Sequence, residues 1–469
     1  MLTTPAPDTI AAIATPAGRG GVGIVRISGG DLSSFIKGLC GRETLPPRRA
    51  VYLSFLDDQH RAMDEGIALY FAAPRSYTGE NILELHGHGG VAVTRALLAR
   101  AIQLGARLAR PGELTYRAFL NGKLDLAQAE AVADLIDAST TTAMRAAARS
   151  LSGVFSKEVN AIADNMMTAR VHIEALLDFP EEELDGVIDE STLQLITTLR
   201  QNCDALYRRA QAGAPLREGL TVVLVGKTNV GKSSLLNALA REDAAIVTPV
   251  AGTTRDTIER QIAIAGIPLT IVDTAGIRHT EDEVEKIGID RTWAAIQHAD
   301  IIFLIQDARD SVNKDSASLT NIDDEVAAKL PHDLPRLTVW NKYDLLDETQ
   351  KAKVRHRSPL APDNPERDVW ISAKTHEGID DLERAVLDKI HIAPMTEDTF
   401  LARERHTEAL KIALDELTLA EAEIAQAHPA LELIAERLRY AHNALQTITG
   451  KVVADDILGE IFSRFCIGK

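Results

Sequence analysis

The stretch with the clearest chemistry is GKTNVGKS, residues 226–233, which has the spacing G-x-x-x-x-G-K-[ST]. It follows the apolar run TVVLV and opens a helical pattern. Glycines there let backbone N–H groups approach phosphate oxygens, and the helix start adds positive potential. Lys232 is expected to reach the β- and γ-phosphates of a nucleotide, and Ser233 to ligate Mg²⁺. Three later motifs each follow a strand-like run. DTAG (Asp273, Thr274, Ala275, Gly276) offers Asp273 for Mg²⁺ through water and the Gly276 N–H for the γ-phosphate. NKYD (341–344) places Asp344 to accept from guanine N1–H and the 2-amino group, with Lys342 lying along the base. SAK (Ser372, Ala373, Lys374) is expected to meet guanine O6 through backbone N–H. Each motif is weak alone, but four in this order, each after a strand, predict a GTP site.

The expected nucleotide contacts are Asn229, Val230, Gly231, Lys232, Ser233 and Ser234 from the phosphate loop and Asn341, Lys342 and Asp344 from the base loop. A first switch is expected at TPVAGTTRD, contributing Thr248, Pro249, Val250, Ala251, Gly252, Thr253 and Thr254, with Thr254 completing the Mg²⁺ shell. Two departures stand out. Ile277 occupies the place where a Ras-like GTPase carries the glutamine that orients the attacking water, and an isoleucine has no group to do so. Glu283 and Glu285 in the following acidic run are candidates, the plainer alternative being a solvated charge run. Asn229 sets a side-chain carbonyl beside the phosphates. With carbonyls from 248–253 it could ligate a monovalent cation, which would occupy the place of an arginine finger. The alternative is a plain loop residue.

Strand-like and helix-like segments alternate from Leu220 to about residue 390, which implies a parallel α/β sheet. Before them, residues 1–121 read as mixed α/β, with strands at GIVRIS (23–28) and GIALYF (66–71) and a helix over 91–107 stopping near Gly105. From Leu124 the chain turns Ala/Leu-rich with helical spacing as far as Pro180, a further helix covers 191–213, and the same texture returns over 399–446. The predicted division is 1–121, 122–217, 218–390 and 391–469, with the α/β domain inserted in one helical domain; two independent helical domains are the alternative. The fold class expected is therefore multidomain: an α+β N-terminal domain, an all-α domain and an inserted α/β P-loop domain.

The 469 residues carry a formal net charge of −17, which argues against a broad nonspecific nucleic-acid footprint. No run approaches a membrane span, and the N-terminus lacks the pattern of a signal peptide, so a cytoplasmic location is expected. Three scattered cysteines, Cys40, Cys203 and Cys466, make no disulfide framework. The terminal FCIGK fits a lipidation signal poorly. A small apolar packing residue is the plain reading of Cys466.

The chain as a whole resembles the MnmE (TrmE) family of tRNA modification GTPases. The resemblance is carried by DTIAAIATPAGRGGVGIVRISG, SYTGENILELHGHGG, RPGELTYRAFLNGKLDLAQAEAVADLIDA, NVGKSSLLNAL, GTTRD, DTAGIR and FCIGK. It implies a homodimer joined through N-terminal domains, with GTP domains pairing in the presence of K⁺. It also implies work with the flavoprotein MnmG on carbon 5 of the wobble uridine of certain tRNAs. The family's catalytic glutamate maps onto Glu285, its K⁺ ligands onto Asn229, Thr248, Val250 and Thr253, and its Mg²⁺ ligands onto Ser233 and Thr254. The N-terminal part resembles folate-binding domains, which implies contacts of Arg26, Glu84 and Lys123 with 5-formyltetrahydrofolate or a related tetrahydrofolate. Lys469 is expected to reach the same pocket. As structural residues these would be surface ion pairs. The returning helices would then carry Cys466 toward that pocket as a nucleophile or acid/base group.

Other features carry less. GRGGVG (18–23) matches G-x-G-x-x-G, but a strand pattern follows it where a dinucleotide site needs a helix. His86 and His88 share a strand face with Glu84 if that stretch is extended, which would allow a metal; a glycine-rich turn is the plainer reading. Met166 and Met167 are expected in a helix core. Two rival functions remain on sequence grounds. One is a pure switch GTPase, which needs neither the N-terminal domain nor the terminal cysteine. The other is a metal-cluster maturation factor, which would carry Cys/His clusters.

Overall fold

The computed structural model describes residues 8–178, 190–227, 229–242, 259–273, 299–312, 334–357, 368–390, 399–426, 428–452, 455–463, 465 and 468. They divide into two compact units, one of Met1–Ile136, Ser150–Asp204 and Ala409–Lys469, the other of Asp137–Arg149 and Ala205–Glu408.

The first unit opens with strands β1 (Ile10–Ile13) and β2 (Gly20–Gly29), helix α1 (Ser33–Cys40), strands β3 (Val51–Leu56), β4 (Ala62–Phe71) and β5 (Asn81–Gly89), helix α2 (Val91–Gln103), strand β6 (Arg107–Leu108) and helix α3 (Glu113–Leu120). The sheet runs β3-β4-β5-β2-β1-β6, antiparallel except for the β1–β6 pair. Alternation along β2 and β5 sends Val25, Ile27, Leu83 and Leu85 into a core with Phe35, Leu39, Phe55 and Leu97. The opposite face keeps Arg26 and Glu84, which are direct cross-strand partners. GIVRIS and GIALYF therefore lie inside β2 and β4 as expected. The 91–107 helix is shorter than its pattern, because Gly105 turns the chain at φ 108°. HGH is not a glycine-rich turn: it sits within β5.

Helices α4 (Leu126–Asp137), α5 (Thr141–Leu151), α6 (Val154–Asp178) and α7 (Glu190–Glu218) follow. On α6, Phe155, Val159, Ile162, Ala163, Met166, Ala169 and Ile173 recur at helical spacing and are buried. The helix Leu431–Thr449 packs on α6 with Ile434, Leu438, Ala441, Leu445 and Ile448 buried. Met166 is fully buried but Met167 is 42% exposed, contrary to the expectation for both. Met167 falls outside the buried stripe, which on α6 runs through Ile162, Ala163, Met166, Ala169 and Ile173. Cys40 and Cys203 are free and buried, and burial pushes both thiols up to about 12, so neither is a nucleophile.

The second unit holds β7 (Leu220–Val225), α8 (Lys232–Glu242), β8 (Glu259–Ile264), β9 (Ile267–Asp273), β10 (Ile301–Asp307), β11 (Arg336–Asn341) and β12 (Asp368–Trp370). Its sheet order is β12-β11-β10-β7-β9-β8; every pair is parallel except β8–β9. The chain leaves β7 for one side of the sheet and returns to build the other. The crevice at the carboxyl end of β7 is thus a topological switch point, where open α/β sheets bind ligands. None of the described helices is long and apolar enough to cross a membrane.

Candidate nucleotide site and terminal-tail site

The phosphate loop leaves β7 and enters α8 at Lys232, the strand–loop–helix context that its spacing requires. Gly231 takes φ +98°, and a Cβ there would lie 2.2 Å from Asn341 Nδ2. A Cβ on Gly226 would lie 2.3 Å from the Ile305 carbonyl. Both glycines are therefore required by close approach. Asn229 is also left-handed, at φ 63°, and its side chain is exposed. Lys232 is 8% exposed; its Nζ donates to the carbonyls of Gly226 (2.7 Å) and Lys227 (3.1 Å), so the ammonium sits in the concavity of the loop. Ser233 and Ser234 are exposed on the first turn of α8, and Val230 is buried.

The base loop is bonded to this cradle. Asn341, 2% exposed, donates Nδ2 to the Val230 carbonyl (2.9 Å). Its Oδ1 accepts from Lys342 N (2.8 Å) and Ala373 N (3.0 Å), so one side chain joins phosphate loop, NKYD and SAK. Asp344 Oδ1 accepts from the buried Ser372 hydroxyl (2.7 Å), which fixes the carboxylate and leaves its second oxygen for a base. Lys342, at φ 66°, extends its Nζ to the Asn229 carbonyl (2.6 Å) and to Asp307 Oδ2 (2.9 Å). Lys374 follows Ala373 in the same turn.

Sequence reasoning missed Asp307 and Arg309. Asp307 ends β10 directly beside Asn341 and is 8% exposed. Arg309 grips it with Nε to Oδ1 (3.0 Å), Nη2 to Oδ2 (2.8 Å) and its own N–H to Oδ1 (3.1 Å). The bonds from Arg309, followed by that from Lys342, outweigh burial and hold the Asp307 carboxyl well below the usual carboxylate range. The only sequence signal was an acid closing the apolar run IIFLIQ.

Asp273 closes β9. Thr248–Thr254, Thr274–Gly276, Ile277, Glu283, Glu285, Cys466 and Lys469 lie outside the described residues. The cradle of close-approach glycines around a buried ammonium fits a triphosphate, and the exposed Ser233 hydroxyl beside it fits Mg²⁺.

A second cluster lies in the first unit. Arg26 Nε bonds Glu84 Oε1 at 2.7 Å, with the side chains 18% and 12% exposed, so this is a half-buried pair rather than a surface one. Glu84 Oε2 also meets His86 Nε2 (3.0 Å), while His88 turns to Asp64 (2.7 Å). Among the described residues no group of three or more His, Cys, Asp or Glu could hold a metal. The chain terminus comes to this cluster. Phe462 and Phe465 pack with Tyr116, Phe119, Leu126 and Ala129, and a Cβ on Gly112 would lie 2.5 Å from the Phe462 carbonyl. Gly468, at φ +96°, approaches β1 so closely that a Cβ would sit 2.3 Å from the Ile13 carbonyl, and Arg26 Nη1 donates to the Gly468 carbonyl (3.4 Å). Lys123 is not joined to this pair; it is exposed and donates to the Pro74 carbonyl (3.2 Å).

Known families account for both halves of this arrangement. The family model for the "GTP-binding protein TrmE N-terminus" matches residues 9–123, and that for the "MnmE helical domain" matches residues 126–466. The chain belongs to the MnmE family of tRNA modification GTPases. The relative from Chromobacterium violaceum, named tRNA modification GTPase MnmE, is 50% identical over 463 residues, covering 99% of both chains. The same-named protein of Ralstonia nicotianae is 52% identical over 465 residues, covering 98% of this chain and 96% of that one. MnmE membership gives the GTPase motifs and the FCIGK tail one setting.

Proposed function

We propose that this MnmE-family chain is a K⁺-activated GTP hydrolase. As a homodimer with the flavoprotein MnmG, it builds an aminomethyl-type group on carbon 5 of the wobble uridine of certain tRNAs in the cytoplasm. The division 1–121, 122–217, 218–390 and 391–469 is the organisation we propose for it. The observation that carries the modification reading is the Gly468 carbonyl against Arg26 beside Glu84. A pure switch GTPase has no use for a Gly468 carbonyl held at a half-buried ion pair.

Each residue then has a task. Lys232 neutralises the β/γ-phosphates, Asp344 and Asn341 read guanine, and Glu285 orients the attacking water in place of Ile277. Ser233 and Thr254 would hold Mg²⁺, which supplies charge neutralisation at the phosphates. Asn229, with Thr248, Val250 and Thr253, would hold K⁺, which supplies the positive charge of an arginine finger. Asn229 fits because its exposed side-chain oxygen stands on the phosphate loop. Arg26, Glu84, Lys123 and Lys469 would hold a tetrahydrofolate, which supplies the one-carbon unit. Glu84 suits the amino and ring N–H donors of a pterin, and Arg26 its carbonyl or glutamyl oxygens. Cys466 brings a thiol suited to transient addition to a pyrimidine. Cys466→Ser is expected to keep GTP hydrolysis and lose wobble-uridine modification, measured by phosphate release and by nucleoside mass spectrometry; full modification in the variant would remove the chemical role.

The reading is tested by steady-state GTP hydrolysis in KCl against NaCl at equal ionic strength. Strong K⁺ activation, lost in both Asn229→Ala and Glu285→Ala, is the expected result. Equal slow rates in both salts would leave Asn229 a loop residue and favour a switch that depends on an external activator.

A further inference from the structure

We propose that Asp307 is a positioning residue of the nucleotide site: it holds the Lys342 ammonium against the Asn229 carbonyl and so ties the guanine-reading loop to the phosphate loop. The inference rests on the GTP reading and adds a residue that none of the nucleotide motifs contains. Lys342 has a long, flexible stem, and its backbone is already left-handed at φ 66°. A single neutral carbonyl at 2.6 Å would hold its ammonium weakly against the pull of water. A carboxylate at 2.9 Å changes that balance, because it meets the ammonium with an opposite charge where the carbonyl offers only a dipole. The carboxylate is itself fixed by three bonds from Arg309 and by its place beside Asn341 at the ends of paired strands. With the ammonium pinned, the aliphatic stem of Lys342 forms a rigid shelf for the base, and the left-handed Asn229 is held through its carbonyl. Without Asp307 the stem is free to swing out. The shelf and the phosphate loop then loosen together, and bound nucleotide escapes faster.

The test is the release rate of a fluorescent GDP (mant-GDP) from the full chain, with thermal midpoints measured alongside. Asp307→Asn is expected to accelerate release about tenfold, as loss of one partner of a fixed charge pair acts on dissociation. The midpoint should hold, since Asn keeps the size of Asp. Arg309→Ala, whose side chain is 56% exposed, is expected to shift release in the same direction by a smaller factor. Lys342→Gln should accelerate release at least as much as Asp307→Asn, and the double variant Asp307→Asn with Lys342→Gln no more than Lys342→Gln alone, because Asp307 acts through Lys342. Wild-type release rates in both Asp307→Asn and Arg309→Ala would overturn the inference. So would additive losses in the double variant accompanied by a lowered midpoint, which would make Asp307 a residue of the fold alone. Failure of the wild-type chain to bind mant-GDP would instead remove the GTP reading itself, and this inference with it.

Discussion

Lys232→Gln is expected to lower GTP turnover by about 10³-fold while leaving the fold intact, since removing one preorganised donor at developing charge costs roughly that much. The ammonium is 8% exposed and sits among the carbonyls of Gly226 and Lys227, inside the loop that the close-packed Gly226 and Gly231 shape. A charge so placed has little water to compete with and acts at full strength on a phosphate entering the loop. Glutamine is shorter and neutral. It can still meet a loop carbonyl, so the thermal midpoint should hold, but it offers no charge to the β/γ-phosphates. Phosphate release under saturating GTP, read beside the midpoint, checks this. Near-normal turnover would show that this loop is not where hydrolysis occurs.

The second large effect is one of specificity. Asp344→Asn is expected to weaken GTP binding by about 10²–10³-fold and to improve binding of XTP, because a site built to pair with a base edge leaves polar groups unmatched when the pattern changes. The direction follows from Ser372. Its buried hydroxyl donates to Asp344 Oδ1 and would hold the amide oxygen of an asparagine in the same place. The amide nitrogen would then face the base. There it opposes the N1–H and 2-amino donors of guanine, but it can donate to the 2-oxygen of xanthine. Competition of GTP and XTP against mant-GDP measures the switch. An unchanged preference for GTP would mean that Asp344 does not meet the base edge.

Much of the nucleotide site was legible because its motifs are local. A strand, a glycine loop and a helix start lie within fifteen residues, and each later motif ends a strand of the same sheet. Such short-range patterns depend on backbone needs that a sequence displays directly, as at Gly231. What was not legible depends on register between distant segments. Asp307 reads as any acid after an apolar run until β10 is set beside β11, which brings it level with Asn341. Arg26 and Glu84 looked like surface charges; only the antiparallel pairing of β2 with β5 makes them neighbours, and the Tyr77 ring and the Gly468 carbonyl then come against Arg26. The histidines of HGH looked like a turn because glycines flank them, yet pairing with β2 and β4 overrides that preference. Met167 was misjudged because a run of apolar residues on a helix does not say which of two neighbours faces inward.

The link we propose is that GTP hydrolysis at this loop drives tRNA wobble-uridine modification. Its most direct test is nucleoside mass spectrometry of tRNA from cells in which the chain is replaced by Lys232→Gln at normal abundance. The modified wobble uridine is expected to be lost in the variant and restored by the wild-type chain. Full modification in cells whose only copy is the hydrolysis-deficient Lys232→Gln protein would contradict it.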